Sequence, residues 1–243
     1  MAIIEVKNFH KAFGKKSVHE GVSLYVKKGE CLGLVGGSGT GKSVLLRSLI
    51  GLEKADKGEI HIEGIDVTGY SEQQWQIIRK KVAYAFQGGA LFDSMSVFEN
   101  LAYPLREHSK LSASEIQQRI SAQLKDFGLE GSEKLYPNEL SGGMQKRVGL
   151  ARAMMLEPDI ILYDEPTAGL DPYNTKNIQE LILKLKKKGV TSILVTHDMP
   201  TAFAVCDKFA FLKDKVIKEQ GTSEQLKNQS DSLIHQFIQG NIL

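Results

Sequence analysis

The chain has 243 residues, of which 42% are hydrophobic and 25% are charged, the balance of an ordinary globular protein with a sizeable core. Its 31 Lys and Arg residues against 29 Asp and Glu give a net charge of +2, which offers no independent case for binding nucleic acid. We predict no signal peptide in the charged N-terminus, no membrane span, and two buried reduced cysteines, Cys31 and Cys206.

Short apolar runs between helical patterns predict the strands of a mainly parallel sheet that is covered by helices on both faces. The runs are 3–6, 31–35, 59–62, 82–86, 160–163, 192–195 and 209–212. The early runs, up to Ile62, are spaced closely enough to indicate an antiparallel β portion beside the main sheet.

Helix signals without a convincing strand mark the stretch from about 88 to 156. Ser112 and Glu115 form a capping box, and apolar residues recur at helical spacing after LSGG until Pro158, which we expect to close that helix. We therefore predict one domain, 1–243, with a core at about 1–87 and 157–220. An inserted helical subdomain covers about 88–156, and a C-terminal extension covers about 221–243.

Residues 36–43, GGSGTGKS, match the pattern G-x-x-x-x-G-K-[ST], with an apolar strand before it and a helix after it. Glycines let the backbone curl around a phosphate, Lys42 is suited to bridging the β- and γ-phosphates, and the Ser43 hydroxyl is suited to Mg²⁺. The pattern therefore predicts a nucleotide site.

Asp164 and Glu165 directly follow the apolar run 160–163. A central parallel strand delivers its C-terminal residues to the ligand edge of the sheet, where the phosphates would lie. We expect Asp164 to orient Mg²⁺ or its water shell and Glu165 to polarise the attacking water.

Residues 140–147, LSGGMQKR, predict a second anion site about a hundred residues after the first. Ser141, Gly142 and Gly143 stand where a helix begins, and unpaired N–H groups and the positive end of the helix dipole favour an anion there.

Over nearly the whole chain, from Phe13 onward, these motifs resemble in type and order the ATP-binding subunits of ABC transporters. The resemblance implies ATP and Mg²⁺ as cofactors and an α/β fold, a RecA-like P-loop NTPase core with an antiparallel β portion and an inserted helical subdomain. It implies that Phe13 stacks on adenine, that Gln87 reaches Mg²⁺ and the attacking water, and that His197 holds the γ-phosphate and positions Glu165.

The motifs and the resemblance together give three groups of candidate site residues, and Ser43 and Gln87 each belong to two of them. The catalytic residues are Glu165, His197 and Gln87. The Mg²⁺ ligands are Ser43, Gln87 and Asp164. The nucleotide contacts are Phe13, Gly36, Gly37, Ser38, Gly39, Thr40, Gly41, Lys42, Ser43, Val44, Ser141, Gly142, Gly143 and Met144.

The resemblance also accounts for the two anion sites, because the LSGGQ-like segment of the family completes the site of a second subunit. Two chains would then form a homodimer, packed head to tail around two ATP molecules, with the loop 168–171 touching the opposite subunit and Pro172 starting the next helix. Met144 stands where glutamine is commonest, which leaves the serine and glycines in place and puts the ribose contacts in doubt.

The sequence of residues 88–107 is similar to the corresponding segment in the ATPases of Mla-type phospholipid transporters, which act with Mce-domain proteins. This implies an integral membrane permease, an Mce-domain lipid-binding protein in the complex, and a peripheral position on the cytoplasmic face of the inner membrane. Five apolar residues here are either core or contacts to the permease: Leu91, Phe92, Val97, Phe98 and Leu101. The apolar tail either contacts the partner ATPase or folds onto its own subunit, through Leu233, Ile234, Phe237 and Ile238, before Gly240.

The motor motifs do not specify the cargo, so transport of an amino acid or a lipoprotein is an alternative. Soluble relatives that act on ribosomes or DNA carry two ATPase domains or long heptad insertions, neither of which is visible in these 243 residues, and we predict no nucleic-acid partner. Every hydrolytic group is present, which disfavours a purely structural module. The lysine run 184–188 is predicted to be a solvated helix face rather than a lipid-binding patch.

Overall fold

The computed structural model describes residues 2–228 and 232–238. The strands are β1 Ala2–Phe13, β2 Lys16–Lys27, β3 Cys31–Val35, β4 Lys57–Ile62, β5 Ile65–Asp66, β6 Val82–Ala85, β7 Ile160–Asp164, β8 Thr191–Val195, β9 Lys208–Lys213 and β10 Val216–Thr222. The helices are α1 Lys42–Ser48, α2 Glu72–Lys81, α3 Val97–His108, α4 Ala113–Asp126, α5 Gly142–Ala153, α6 Pro172–Lys187, α7 Met199–Val205, α8 Ser223–Asn228 and α9 Leu233–Ile238. Within these ranges, no helix has the length and apolar character needed to cross a membrane.

The main sheet has six strands in the order β10-β9-β3-β8-β7-β6. All neighbouring pairs from β9 to β6 are parallel, and β10 is antiparallel to β9. β3, β7 and β8 are almost entirely buried, which explains why they read as continuous apolar runs. Because parallel strands end at one edge of a sheet, the residues after these three strands lie along the same edge.

The main sheet is the middle of three layers. Leu162 faces a core formed with α1, α2 and the four-stranded antiparallel sheet of order β2-β1-β4-β5, whereas Tyr163 faces a core formed with α3 to α7. Cys31 and Cys206 are free and buried in the second core, with their Sγ atoms 3.6 Å apart. The expected α/β class with an antiparallel β portion is confirmed.

The segment between β6 and β7 contains α3, α4, a 3₁₀ turn at Pro137–Glu139 and α5, and no strand. α4 begins at the predicted capping box, in which the Ser112 side chain accepts from the Glu115 N–H and the Glu115 side chain accepts from the Ser112 N–H. The prediction that Pro158 closes α5 is wrong, since that helix ends at Ala153. A turn over 154–156 intervenes before the proline.

Several elements have no counterpart in the strands and helices predicted from the sequence, among them β2, β10 and α2. β2 contains Gly21, which interrupts its alternation of apolar and polar residues. β10 lies at a sheet edge and buries none of its residues fully. α2 is mostly polar and buries only Trp75 and Ile78. All three have weak hydrophobic patterning, which explains why the sequence did not predict them.

The lysine-rich end of α6 is a solvated face, as predicted. Its buried side is formed by Ile178, Leu181, Ile182 and Leu185. Lys184 and Lys188 form ion pairs with Asp126, at 3.0 and 3.1 Å, and Lys186 pairs with Asp207 at 2.6 Å. These pairs tie the end of α6 to its neighbours.

The C-terminal helix α9 packs onto its own subunit. Ile234 is fully buried, and its N–H donates to Oε2 of Glu219 at 3.0 Å. The rings of Phe237 and Phe211 lie 5.3 Å apart between centroids. Of the predicted apolar tail, the side chain of Ile238 and Gly240 lie outside the described residues.

Candidate active site

Residues 36–41 form a glycine loop that joins the end of β3 to the start of α1. A Cβ at Gly36, where φ is +152°, would lie 2.3 Å from the carbonyl oxygen of Leu212. Gly41 is the N-cap of α1 with φ +99°, and a Cβ there would meet the side chains of Val18 and His19. Only glycine fits these two positions, so the loop is held close to both sheets.

Lys42 folds back over this loop. Its Nζ donates to the carbonyl oxygens of Gly36 and Gly37, at 2.9 and 2.8 Å, and only 7% of the residue is exposed. Burial lowers the pKa of Lys42, and the negative charges of Glu165 and Asp164 only partly oppose that effect. A phosphate in the loop would add further negative charge beside the buried ammonium group.

Two hydroxyl groups hold the carboxylate of Asp164 at the end of β7. Ser43 Oγ donates to Oδ1 at 2.8 Å, and the Tyr84 hydroxyl donates to Oδ2 at 2.7 Å. Burial and the contact with Asp164 raise the pKa of Tyr84 well above its usual value, so the phenol stays protonated as a donor. The carboxylate is thus fixed beside the first turn of α1.

Glu165 follows β7 in a left-handed backbone conformation, with φ +52°, which is strained for a residue other than glycine. Its N–H donates to the carbonyl oxygen of Val195 at the end of β8, at 2.9 Å. Its Oε2 lies 3.0 Å from Nδ1 of His197 and accepts from the His197 N–H at 3.4 Å. The Glu165 side chain is 16% exposed and the His197 side chain 71%, so the carboxylate lies inside and the imidazole at the opening.

A cleft of about 430 Å³ brings most of these groups together, although Asp164 is not among its lining residues. It is lined by Phe13, Lys16, Val18, Ser38, Gly39, Gly41, Lys42, Ser43, Val44, Arg47, Glu165, Val195 and His197. Phe13 is 45% exposed at the end of β1, and Lys11 Nζ lies 4.9 Å from its ring centroid. The cleft therefore contains an aromatic wall, a cationic loop and a carboxylate.

Some predicted site residues lie outside the lining of this cleft. Gly36 and Gly37 face Lys42 through their carbonyl groups, and Thr40 Oγ1 donates to the Gly37 carbonyl at 2.9 Å, which braces the loop. Gln87 is exposed in the turn after β6 and is not among the lining residues.

The LSGG segment begins α5, as predicted. Ser141 is the N-cap, and its Oγ accepts from the Met144 N–H at 3.3 Å. A Cβ on Gly142 would meet no atom of the described residues within 4 Å, whereas a Cβ on Gly143 would lie 2.3 Å from Oδ1 of Asn174. None of the residues 141–144 lines the cleft at the glycine loop, so the two predicted anion sites are separate within one chain.

Two residues that the sequence did not single out, Asn100 and Arg152, fix the segment after Gln87. Asn100 is fully buried; its Nδ2 donates to three carbonyl groups within 92–96, and its Oδ1 accepts from Arg152. Arg152 also donates to the carbonyl groups of 89–90, and burial lowers its pKa. A polar residue among the apolar positions of α3 was the only signal for Asn100.

A second cleft of about 400 Å³ lies between this segment and the core. It is lined by Ile50, Leu52, Arg79, Lys80, Val82, Ala83, Tyr84, Phe86, Phe92, Tyr103, Pro104, His108, Gly149, Arg152, Ala153, Leu156 and Pro158. We call it the α3 groove. Phe92 and Tyr103 are each 42% exposed there, with ring centroids 5.2 Å apart. Val97 and Leu101 are fully buried, and Leu91 and Phe98 pack against the core, so only Phe92 among the five apolar residues lines the groove.

The glycine loop between a parallel strand and a helix, with Lys42 and Ser43 at its end and Asp164 and Glu165 at the end of β7, defines a P-loop nucleotide-binding protein. Residues 19–168 match the family model described as "ABC transporter". The chain belongs to that family, and it is an ATP-binding, ATP-hydrolysing protein of it.

Named relatives cover almost the whole chain. The "probable ribonucleotide transport ATP-binding protein mkl" of Mycobacterium leprae (strain TN) is 43% identical over 98% of this chain and 69% of its own length. The "intermembrane phospholipid transport system ATP-binding protein MlaF" of Escherichia coli (strain K12) is 38% identical over 98% of this chain and 89% of its own length. A dimeric ATP-binding cassette in a post-hydrolysis state with ADP and Pi superimposes with a TM-score of 0.84 at 32% identity, over 90% of this chain and 98% of the other.

Proposed function

We propose that this chain is the ATPase subunit of a phospholipid transporter, which works as a homodimer bound to a separate membrane permease. The main support for ATP hydrolysis is that one cleft contains Lys42, Ser43, Glu165 and His197. The similarity to MlaF over 98% of the chain supports the cargo.

The glycine loop and Lys42 would bind the phosphates of ATP, with Phe13 against the adenine. The buried ammonium group now donates to two loop carbonyls, and phosphate oxygens would offer it a stronger, charged acceptor. The oxygens of Ser43 and Asp164 are 2.8 Å apart and suit Mg²⁺, which prefers hard oxygen ligands. When bound, Mg²⁺ would neutralise charge on the phosphate oxygens. Gln87 is proposed as a further ligand.

Glu165 would act as the general base. Its carboxylate takes a proton from a water molecule while the water oxygen bonds to the γ-phosphorus and ADP leaves. His197, 3.0 Å from the carboxylate, would hold the carboxylate in position and face the γ-phosphate from the opening of the cleft. The hydrogen bond from the Glu165 N–H to the carbonyl oxygen of Val195 restricts the backbone of Glu165, the proposed general base.

The second anion site would complete the catalytic site of a partner subunit. Ser141, Gly142, Gly143 and Met144 do not line the cleft of their own chain, and the N-terminus of α5 is open at Gly142. A head-to-tail dimer brings this helix N-terminus to the γ-phosphate held by the partner's loop. The similarity to a dimeric cassette bound to ADP and Pi supports this arrangement.

The α3 groove would receive a cytoplasmic helix of the permease. Its wall includes the exposed rings of Phe86, Phe92 and Tyr103, which suit the apolar face of a helix. Arg152 lines the groove and also donates to the backbone just after Gln87. A helix in the groove would therefore act on the segment that includes Gln87.

We place the complex at the inner membrane, with this chain on the cytoplasmic face and an Mce-domain protein as a further partner.

A second cargo is supported by one observation, the name of the mycobacterial relative, which refers to ribonucleotide transport. The complex should be purified from membranes through this chain and reconstituted in two vesicle populations, one of which contains fluorescent phospholipid. We expect ATP-dependent transfer of the phospholipid between vesicles, and none with Glu165→Gln. Stimulation of ATP hydrolysis by ribonucleotides and not by phospholipid would contradict the proposed phospholipid cargo. Purification of this chain without any membrane protein would contradict its proposed role as a transporter subunit.

A further inference from the structure

At Gly21, β2 carries an extra residue opposite β1, which is one of several register shifts between these two strands. Val22 pairs with Phe9, and Glu20 pairs with His10, so Gly21 has no partner in the ladder. Gly21 has φ +91°, in the left-handed region that the glycine of a G1-type bulge occupies. An extra residue in one strand reverses which face of the sheet the following side chains occupy.

The bulge directs His19 into the protein. On the far side of Gly21, Val22, Leu24 and Val26 are buried, and uninterrupted alternation would bury Glu20 as well. Glu20 instead points to solvent and pairs with Lys215. His19 takes the inward position and is 1% exposed.

His19 contacts the glycine loop from the side of β2. Its Nε2 lies 3.1 Å from the carbonyl oxygen of Gly41, and its ring packs against Phe9 with centroids 5.5 Å apart. Because a carbonyl oxygen only accepts, Nε2 carries a hydrogen, and in the neutral form of the ring Nδ1 then carries none. Nδ1 is buried and has no hydrogen-bond partner among residues 2–228 and 232–238, and burial lowers the pKa of His19, which favours the neutral ring.

The contacted carbonyl belongs to the peptide that starts α1. The same oxygen accepts from the Leu45 N–H at 3.0 Å, the first hydrogen bond of the helix. The peptide between Gly41 and Lys42 is planar and trans, so its C=O and N–H point in opposite directions. With the carbonyl held from the side of β2, the Lys42 N–H is directed away from His19. That amide is one of the first N–H groups of α1, which have no partner within the helix.

We propose that His19 is a positioning residue for nucleotide binding, which orients the Gly41–Lys42 peptide so that the Lys42 amide donates to a nucleotide phosphate. The hydrogen bond to the carbonyl also polarises the peptide and makes its N–H a stronger donor. The inference rests on the proposed binding of nucleotide phosphates by the glycine loop.

The test compares variants of the full chain for MgATP affinity, steady-state hydrolysis and melting temperature. His19→Leu removes the Nε2 donor, and we expect KM and Kd for MgATP to rise about three- to tenfold with kcat little changed. His19→Gln places an amide N–H near the position of Nε2 and should restore most of the affinity. Val22→Ala is the matched control, a core change on the same strand that should lower the melting temperature without changing Kd.

Wild-type affinity in His19→Leu would overturn the inference, and so would an equal loss of affinity in His19→Leu and His19→Gln. If His19→Leu does not fold, His19→Asn replaces it, since the shorter amide lies near Nδ1 and cannot reach Gly41. Equal affinity of the Asn and Gln variants would then overturn the inference. Failure of the wild-type chain to bind MgATP would overturn the proposed function itself.

Discussion

The hydroxyl of Ser43 donates a 2.8 Å hydrogen bond to Oδ1 of Asp164, which joins the first turn of α1 to the end of β7. The other carboxylate oxygen accepts from Tyr84 at 2.7 Å. Both carboxylate oxygens therefore accept a hydrogen bond from a protein hydroxyl. Two of the three side chains assigned to Mg²⁺ thus form one unit although they come from separate motifs, and Tyr84 from β6 orients this unit.

Tyr84→Phe should weaken the response to Mg²⁺ because it removes the donor that fixes Oδ2 of Asp164. We expect the free Mg²⁺ concentration for half-maximal ATP hydrolysis to rise about three- to tenfold, with the rate at saturating Mg²⁺ little changed. The measurement is ATPase activity against free Mg²⁺. Tyr103→Phe, which removes a hydroxyl from the same groove, is the matched control, and equal responses of the two variants would contradict the prediction.

Glu165→Gln should keep ATP bound and nearly abolish turnover, since it preserves the shape of the side chain and removes the base. The expected loss in kcat is about 10²- to 10⁴-fold, the usual contribution of a general base. Filter binding of labelled ATP and phosphate release measure the two quantities. Full turnover of this variant would exclude Glu165 as the base.

His197→Ala should lower kcat by a smaller factor, about 10²-fold, because Glu165 remains but loses the imidazole 3.0 Å away that positions it. His61→Ala is the matched control, since His61 also contacts a glutamate, Glu59, at 2.9 Å, in the antiparallel sheet. The rate of phosphate release is measured for both variants. Equal rates would contradict a role of His197 in positioning Glu165.

The parts of the site that are local in sequence could be predicted from the sequence. Phosphate binding needs glycines, Lys42 and Ser43 in consecutive positions, and a parallel strand delivers Asp164 and Glu165 together, so spacing alone defines both groups. The apolar runs likewise predict the parallel strands, because both of their faces are buried.

The parts that depend on contacts between distant elements could not be predicted. Tyr84 lies 80 residues from Asp164, and a tyrosine in a strand carries no sign of its partner. His19 is buried because Gly21 adds one residue to β2, which also hides that strand from a search for alternation. Asn100 and Arg152 meet only after α3 and α5 have packed.

Acid should destabilise the folded chain partly through His19. Burial lowers the pKa of His19 in the folded state, while the unfolded chain titrates near the ordinary value of 6.5. As pH falls below about 6.5, the unfolded chain takes up a proton that the folded chain does not, so the free energy of unfolding decreases. Urea unfolding between about pH 7.5 and pH 5.5 should show a smaller decrease for His19→Gln than for the wild type. Parallel curves would contradict the prediction.

Mixed dimers test whether LSGG completes the partner's site. With Lys42→Ala on one subunit and Ser141→Arg on the other, a head-to-tail dimer keeps one site in which an intact Lys42 faces an intact Ser141. With both changes on one subunit and a wild-type partner, each of the two sites contains one defect. Differently tagged subunits allow each dimer to be purified, and ATP trapped per dimer can be counted in a Glu165→Gln background. We expect about one trapped ATP in the first dimer and none in the second. The reverse pattern would show that Lys42 and Ser141 of the same chain act on the same nucleotide.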